Sequence, residues 1–358
     1  MRFEPSGPGA AARAWLEARI RATWSGRPAQ GLLLASSAFA LAHDLRDFLF
    51  EAGIAKSRQP PIPVLSVGGL TAGGSGKTPI AAEVSRWLDE AGWRASLVTA
   101  GLADEMRALA LLAPHAMVEG GSDRLAAVRR AARSGAEIAV LDSGFQHRAL
   151  RRVLDLVCVD LRGWNLPGRR RLPAGPFRER SGALARADAV VVVVRGDPDR
   201  AVAAGVEDSV RRFAVGGPVA VCRLMPVGFQ PGNALAGSAP PGPLSVAAAG
   251  VMWPDDLFAA VRALGLTPSV ELAFRDHEPF APDRLARLLD AAREGGVVCS
   301  LKDAVKLGPL LADRVPVWYV EERPRWQLGG EVLRRGVLRI AQTVTGRPAT
   351  GGLSGRRS

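Results

Sequence analysis

The sequence predicts an α/β protein in which helices cover both faces of a mostly parallel sheet, with a second, smaller α/β domain after the first. Short apolar runs alternate with Ala-, Leu- and Arg-rich segments of helical character, which is the pattern of a parallel sheet. These runs lack strict polar–apolar alternation, so both faces of the sheet are expected to be buried. The predicted strands are residues 63–67, 95–99, 136–141, 155–160, 188–194 and 219–224, followed by 245–249, 269–274, 296–301 and 316–320.

The length of the chain predicts two packed domains, or one large α/β unit with an appendage. Single hydrophobic cores stop growing beyond about 250–300 residues, and this chain has 358. A Pro- and Gly-rich segment at 226–243 is typical of a linker or domain boundary. The predicted divisions are a helical N-terminal segment at 1–55, the first α/β domain at 56–228, the second at 229–342 and a disordered tail at 343–358.

A net charge of +12, from 47 basic and 35 acidic residues, predicts anionic partners such as phosphates, nucleic acid or an anionic lipid surface. Nearly all of the basic residues are Arg, and the richness in Ala, Gly and Pro is typical of GC-rich coding, so part of the charge carries no functional information. The sequence has no aromatic-interleaved basic strand and no zinc or helix-turn-helix pattern. Nucleic-acid binding is therefore not expected.

The cysteines and the apolar segments bear on the location of the protein. Cys158, Cys222 and Cys299 are far apart and lie in predicted strands, so they are expected to be buried thiols in a reducing compartment. No signal-peptide pattern occurs, which predicts a cytoplasmic protein. No run reaches the roughly 18–20 apolar residues of a spanning helix.

Residues 31–50 form the most apolar segment and have two interpretations. Leu45, Phe48 and Leu49 recur at helical spacing. The helix could lie in a membrane interface, on the cytoplasmic face of the inner membrane and beside the basic residues Arg19, Arg21 and Arg27. It could equally pack on the core of the domain.

A glycine-rich loop follows the first predicted strand and leads into a helix. Free backbone N–H groups and the helix dipole converge on an anion in such a strand–loop–helix unit, so the segment predicts a P-loop and a P-loop NTPase-like first domain. Lys77 would reach the β- and γ-phosphates of ATP, and Thr78 would bind Mg²⁺ through its hydroxyl. The predicted nucleotide-binding residues are Thr71, Ala72, Gly73, Gly74, Ser75, Gly76, Lys77 and Thr78.

The loop departs from the strict pattern GxxxxGK[ST], because Thr71 stands at its first position. A generic glycine-rich turn is the alternative interpretation. A P-loop also needs an acidic group for the metal, usually at the end of a neighbouring strand. Asp142 ends the run AEIAVLD and is the candidate Mg²⁺ ligand, although an Asp there could simply cap a turn.

Five segments resemble one family, tetraacyldisaccharide 4′-kinase, over roughly residues 24–320. A Thr at the first loop position is usual in that family, so the departure from the strict pattern supports the resemblance. Single matches of this kind are weak, whereas five in the family's order are specific. The segments are GGLTAGGSGKTP, LDSGFQHRAL, LPAGPFRE followed by ADAVVVV, FRDHEPF and SLKDAVK.

The resemblance implies transfer of the γ-phosphate of MgATP to the 4′-hydroxyl of a tetraacylated glucosamine disaccharide 1-phosphate, the precursor of lipid A. The acceptor would be an anionic glycolipid at the membrane surface. By motif matching, Asp142 corresponds to the first Asp of the family's DDGFQH segment, and Asp104 to the acid of its GDEP segment. His277 would help to take the proton from the acceptor. Arg178, in the PFRE loop, would contact anionic substrate.

Gln146 and His147 match the last two residues of the DDGFQH segment and complete the catalytic candidates implied by the resemblance. Each of these residues also has a structural interpretation. His277 could be a surface turn residue beside Pro279, and His147 could merely satisfy a loop. Asp104 could be an N-cap, and the run 169–171 could be a solvated charged face.

Two departures from the family fall on the acceptor side of the site. Ser143 replaces the second Asp of the DDGFQH segment, and a hydroxyl cannot replace a carboxylate as proton acceptor or orient an imidazolium near pH 7. Ala100 stands where the family has Arg, and Gly101 is almost adjacent to Asp104, which indicates a shortened loop. Two alternatives therefore stay open: an ATP-binding homologue with weakened or no activity and a regulatory role, or a P-loop kinase for another hydroxylated acceptor.

Overall fold

The structure is a computed structural model, and it describes residues 30–101, 103–240, 245–251, 253–274, 280, 282–292 and 295–347. Three groups of predictions lie outside these residues: the segment before residue 30 with its arginines, the candidate base His277, and residues 348–358 of the predicted tail.

Within the described ranges the strands form one 11-stranded sheet with the order β3-β2-β4-β1-β5-β6-β7-β11-β10-β8-β9. Strands β1 to β7 lie parallel to their neighbours, and β8 to β11 are parallel to one another, so the direction reverses once, between β7 and β11. The strands are β1 (Val64–Gly69), β2 (Ala95–Thr99), β3 (Met117–Gly120), β4 (Ile138–Asp142), β5 (Leu154–Asp160), β6 (Ala189–Val194), β7 (Val219–Pro231), β8 (Val246–Ala249), β9 (Val270–Ala273), β10 (Val297–Cys299) and β11 (Val317–Leu328).

Helices connect the parallel strands and cover both faces of the sheet. They are α1 (Gln30–Glu51), α2 (Lys77–Glu90), α3 (Ala103–Leu112), α4 (Arg124–Arg133), α5 (Leu161–Trp164), α6 (Arg200–Arg211), α7 (Pro254–Ala263), α8 (Pro282–Ala291), α9 (Leu301–Leu310) and α10 (Gly330–Thr345). The predicted α/β fold with a mostly parallel sheet is confirmed. Among the described residues no helix is both long and apolar enough to cross a membrane.

Two long antiparallel strands join the two halves of the sheet. The first half consists of β1 to β7 and the second half of β8 to β11. β7 pairs with β11 from Val221–Leu328 to Pro231–Trp318. Residues 226–231 of the segment predicted as a linker therefore belong to β7. The partner strand β11 pairs with their backbone N–H and C=O groups. The two halves share a continuous sheet rather than a flexible connection.

Each half of the sheet has apolar clusters on both of its faces. One cluster lies between the first half and helices α2 and α10, with Trp87, Leu97 and Val337 among its buried members. Two further clusters cover the faces of the second half. Helix α10 thus packs on the first half although it follows the second in sequence, and it continues to Thr345, three residues into the predicted tail. The predicted domain boundaries themselves stay predictions.

Each predicted strand is present in the structure, but β7 continues to Pro231 and β11 to Leu328, well beyond the predicted ends at 224 and 320. The prediction missed β3 altogether. β3 has four half-buried residues, Met117–Gly120, at the edge of the sheet. So short a run carries no recognisable strand pattern. The cysteines Cys158, Cys222 and Cys299 are free and buried, as predicted.

Candidate active site

The predicted phosphate-binding loop connects the buried strand β1 to the first turn of α2. Gly73, Gly74 and Gly76 have φ values of 73°, 64° and 72°, in the left-handed region that favours glycine. A Cβ atom on Gly76 would lie 2.8 Å from Cγ1 of Val193. Glycine is therefore required at this position both by the backbone and by the close approach of β6.

Lys77 is the first residue of α2, and its side chain folds back over the loop. Its Nζ atom donates a hydrogen bond to Oγ of Ser75 at 2.7 Å. Burial lowers the pKa of Lys77 to about 8, against the opposing charge of Asp142, and the charges of Arg178 and Lys302 lower it further. An anion between these cations would favour the charged ammonium.

Asp142 ends β4 directly beside the loop. Thr78 donates a hydrogen bond from Oγ1 to Oδ2 of Asp142 at 2.8 Å, and Ser143 donates from Oγ to Oδ1 at 3.2 Å. Asp142 is buried. The structure thus brings the predicted metal-binding hydroxyl and carboxylate, 64 residues apart in sequence, into direct contact.

The loop opens onto a cleft of about 260 Å³ between the two halves of the sheet. One wall comes from the first half and includes Gly73 to Pro79, Asp142, Ser143 and Arg178. The opposite wall comes from the second half and consists of Val251, Trp253, Asp256, Leu257, Ala260, Ser300, Leu301, Lys302, Tyr319, Val320, Glu321 and Glu322. This mixture of apolar and polar groups is typical of a small-molecule site.

A loop from the PFRE segment runs beside the phosphate-binding loop and carries Arg178 into the cleft. The backbone N–H of Ala72 donates to the carbonyl oxygen of Pro176 at 2.8 Å, and that of Arg178 donates to Leu70 at 2.7 Å. Burial lowers the pKa of Arg178, and the charge of Glu105 opposes the shift. The guanidinium is held as a desolvated cation beside the phosphate-binding loop.

Asp104 and Glu105, at the start of α3, point to different partners. Asp104 forms an ion pair with Lys306, in which Oδ2 lies 3.1 Å from Nζ. Burial acts to raise the pKa of Asp104, but the hydrogen bond and charge of Lys306 outweigh it and leave that pKa lowered. Glu105 lines the cleft and accepts a hydrogen bond from Oγ1 of Thr99 at 2.8 Å. Glu105 is a cleft acid that the sequence analysis missed, although it adjoins Asp104.

Gln146 and His147 are not among the described residues that line the cleft. Gln146 donates from Nε2 to the carbonyl oxygen of Gly69 at 3.0 Å and to Oε1 of Glu179 at 2.9 Å, which ties the end of β1 to the PFRE loop. Burial lowers the pKa of His147, with further lowering by Arg124 and Arg152. Gln146 therefore has a structural role, because it connects β1 to the PFRE loop outside the cleft.

Two basic residues of the cleft were not predicted as site residues. Arg195 follows β6 and donates from Nη1 to the carbonyl oxygen of Gly74 at 2.7 Å, while its Nε lies 3.6 Å from Oε1 of Glu322. Arg195 is the first residue after the predicted strand 188–194, a position where site residues are common in parallel sheets. Lys302 lies in the segment SLKDAVK, to which the sequence analysis assigned no role.

Comparison with known proteins identifies the family of the chain. A family model described as tetraacyldisaccharide-1-P 4′-kinase matches residues 29–117 and 99–339. The chain belongs to this family. A tetraacyldisaccharide 4′-kinase of Geobacter metallireducens is 36% identical over 310 residues, covering 78% of this chain and 89% of that protein. The enzyme of the same name from Halorhodospira halophila is 33% identical, covering 89% of this chain and 94% of that protein.

The fold of this family member also matches a solved structure. LpxK from Aquifex aeolicus, crystallised in complex with ATP, superposes with a TM-score of 0.66 at 22% sequence identity. The match covers 86% of this chain and 98% of that chain. The likeness extends over both halves of the sheet and so supports the same overall architecture.

The titration of Lys77 predicts how nucleotide binding depends on pH. Its pKa of about 8 in the free protein means that the ammonium, the form that attracts phosphate, is lost as pH rises through 8. We expect the dissociation constant for MgATP, measured by calorimetry from pH 7.5 to 9.5, to increase by up to about tenfold per pH unit above pH 8.

The variant Lys77→Arg is the matched control, because a guanidinium stays charged throughout this range. Its affinity for MgATP should be flat with pH, even if it is weaker. A wild-type affinity that does not change between pH 7.5 and 9.5 would contradict the role of the Lys77 charge.

Proposed function

We propose that this protein is an ATP-dependent kinase that phosphorylates the 4′-hydroxyl of a tetraacyldisaccharide 1-phosphate, the precursor of lipid A. The observation that carries the proposal is the contact of Thr78 with Asp142 beside Lys77, in a chain of the tetraacyldisaccharide-1-P 4′-kinase family. Phosphoryl transfer from ATP needs a phosphate cradle, a metal-binding pair and an ammonium in one place.

The residues of the loop fit a Mg²⁺–nucleotide complex. Mg²⁺ prefers oxygen ligands and is usually held by one or two protein groups together with phosphates. The hydroxyl of Thr78 and the carboxylate of Asp142, joined by a hydrogen bond of 2.8 Å, supply such oxygens. When bound there, the ion would neutralise charge on the β- and γ-phosphates, while Lys77 and the amides of Gly73 to Gly76 bind the same groups.

The proposed transfer breaks the bond between the γ-phosphorus and the β–γ bridging oxygen and forms one to the 4′-oxygen of the acceptor. ADP leaves with the bonding electrons, and the hydroxyl proton passes to a base. Lys77 and Arg178 stabilise the charge on the transferring group, because both are desolvated cations in the cleft. Asp104 and His277 are the proposed groups for the proton.

Ser143 weakens the acceptor side of this site. Its hydroxyl donates to Asp142 at 3.2 Å and cannot hold the proton of the acceptor. Asp104, proposed with His277 to take the proton, forms an ion pair with Lys306. These contacts favour a slow kinase over a fast one, and they keep a weakened or inactive ATP-binding homologue as the second candidate function.

Helix α1 gives the proposed kinase access to a lipid acceptor. One face of α1 is tied to the body of the protein: Asp44 accepts two hydrogen bonds from Arg171, at 2.8 and 2.9 Å, and Ser36 donates to the Arg171 carbonyl oxygen at 2.8 Å. A different face exposes Leu34 by 74% and Leu41 by 71%. A helix that is anchored by its polar side and apolar outward is suited to a membrane interface, so we propose peripheral binding at the cytoplasmic face.

A kinase assay tests the proposed reaction. Purified protein with labelled ATP, Mg²⁺ and the tetraacyldisaccharide 1-phosphate should yield the labelled 4′-phosphate. Removing the phosphate-binding ammonium by Lys77→Ala, or the metal-binding carboxylate by Asp142→Asn, should lower kcat/KM by about 10²- to 10³-fold. The variant Lys56→Ala, which removes an exposed lysine, is the control. Transfer to a soluble hydroxylated compound but not to the lipid would contradict the proposed acceptor.

The variant Ser143→Asp tests whether the hydroxyl limits the rate. Residue 143 has φ 63°, a left-handed conformation that Asp adopts more readily than Ser, so the backbone accommodates the change. We expect kcat to increase by about 10²-fold, because a proton-accepting carboxylate commonly contributes that much. Ser143→Asn, of the same shape but without the charge, should give no increase. An unchanged kcat in Ser143→Asp would show that Ser143 is not the weak point.

Sedimentation with vesicles of phosphatidylcholine and phosphatidylglycerol tests the role of α1. Replacing Leu34 and Leu41 by Glu should lower the bound fraction by at least about tenfold, because each buried leucine contributes roughly 1.5–3 kcal/mol. Leu111→Glu, which charges another exposed leucine, on α3, is the matched control. Equal vesicle binding by all of these proteins would contradict a membrane-facing α1.

A further inference from the structure

Lysine is rare in this chain, and its positions are informative. Of 47 basic residues only four are lysines, Lys56, Lys77, Lys302 and Lys306. Lys77 and Lys302 line the cleft, and Lys306 pairs with Asp104 one turn further along α9. An ammonium is a compact point charge, and a planar guanidinium binds a phosphate with a different geometry, so the two are not interchangeable. Two of the four lysines therefore line the cleft where the phosphates of a nucleotide would lie, and a third lies one helical turn from Lys302.

Hydrogen bonds hold the start of α9 against the end of β8, which positions the backbone of Lys302. Ser300 caps the helix by accepting a hydrogen bond from the backbone N–H of Asp303 at 3.2 Å, and its hydroxyl donates to Oδ2 of Asp303 at 2.6 Å. The same buried carboxylate accepts from the backbone N–H of Gly250 at 2.8 Å. This network joins α9 to the end of β8, so Lys302 is presented to the cleft from an ordered helix N-terminus.

Lys302 and Lys306 lie on one face of α9, because residues four apart are neighbours on a helix. They differ in their partners. Lys306 has the carboxylate of Asp104 at 3.1 Å. Lys302 forms no hydrogen bond or ion pair within the described part of the chain, although it is half-buried and its charge acts on Lys77 from the opposite wall of the cleft.

We infer that Lys302 binds the phosphate chain of the nucleotide from the wall opposite the P-loop. The inference rests on the proposed function, since it takes MgATP as the ligand of the cleft. Two ammonium groups that face each other across a partly desolvated cleft repel one another, and a polyphosphate between them removes the repulsion and satisfies both. The segment SLKDAVK thereby acquires a role: Lys302 binds the ligand, Asp303 fixes the helix, and Lys306 joins it to α3.

Both halves of the sheet would recognise the phosphates of the ligand. The first half would hold the phosphates through its loop, and the second would add a charge that only a phosphorylated nucleoside can use. Adenosine, which lacks phosphates, would gain nothing from Lys302. The contribution of Lys302 should therefore appear in the affinity for MgATP and MgADP and be absent from the affinity for adenosine.

Calorimetry on the full-length protein tests the inference, with MgATP, MgADP and adenosine as the ligands. Lys302→Ala should weaken the binding of MgATP and MgADP by about 10- to 100-fold, as expected for loss of a charge-assisted hydrogen bond, and leave adenosine unchanged. Lys302→Gln, which keeps most of the side chain, should weaken binding similarly, and Lys302→Arg should restore part of it. Lys56→Ala is the control for loss of a lysine charge.

The outcomes separate this inference from the proposed function. Wild-type MgATP binding that is lost in Lys77→Ala but unchanged in Lys302→Ala and Lys302→Gln would overturn the role of Lys302 alone. Wild-type protein that binds no MgATP would overturn the proposed function as well. Equal weakening of adenosine and MgATP in both Lys302 variants would identify a structural role and also overturn the inference. A thermal melt of each variant confirms that it is folded.

Discussion

The hydrogen bond between Thr78 and Asp142 is the contact on which the site depends. It joins the first turn of α2 to the end of β4, and these elements meet because β4 pairs with β1 in the parallel sheet. Carboxyl ends of parallel strands lie at one edge, so the loop after β1 and the acid after β4 share a cleft. Without that register the loop would be an anion site without a metal-binding partner.

The cleft brings four cations together, and carboxylates also line it. The cations are Lys77, Arg178, Arg195 and Lys302, and the carboxylates are Glu105, Asp142, Asp256, Glu321 and Glu322. Lys77 and Arg178 are desolvated, which lowers the pKa of each, and Lys302 adds a cation from the second half of the sheet. Desolvation of cations opposes folding. A polyphosphate bound between these cations, as proposed, would offset this cost and stabilise the complex relative to the free protein.

The architecture divides the proposed reaction between two walls. The first half of the sheet carries the phosphate-binding loop, Asp142 and Arg178, and the second half carries α9 and the apolar wall around Trp253. The long ladder between β7 and β11 holds the two halves in one sheet. Ser143, which departs from the family pattern, lies on the wall of the first half, where the acceptor would approach the γ-phosphate.

The sequence by itself determined the α/β fold, most strands, and the P-loop with Asp142 as its acidic partner, because strand runs, glycine turns and loop motifs are local patterns. Only the tertiary structure decided what depends on long-range packing. The packing of α10 on the first half, the pairing of Asp104 with Lys306, and Gln146 as a tether to Glu179 are of this kind. Glu105, Arg195 and Lys302 were missed for the same reason: residues 90 or more positions apart in the chain meet at the cleft only when the sheet assembles.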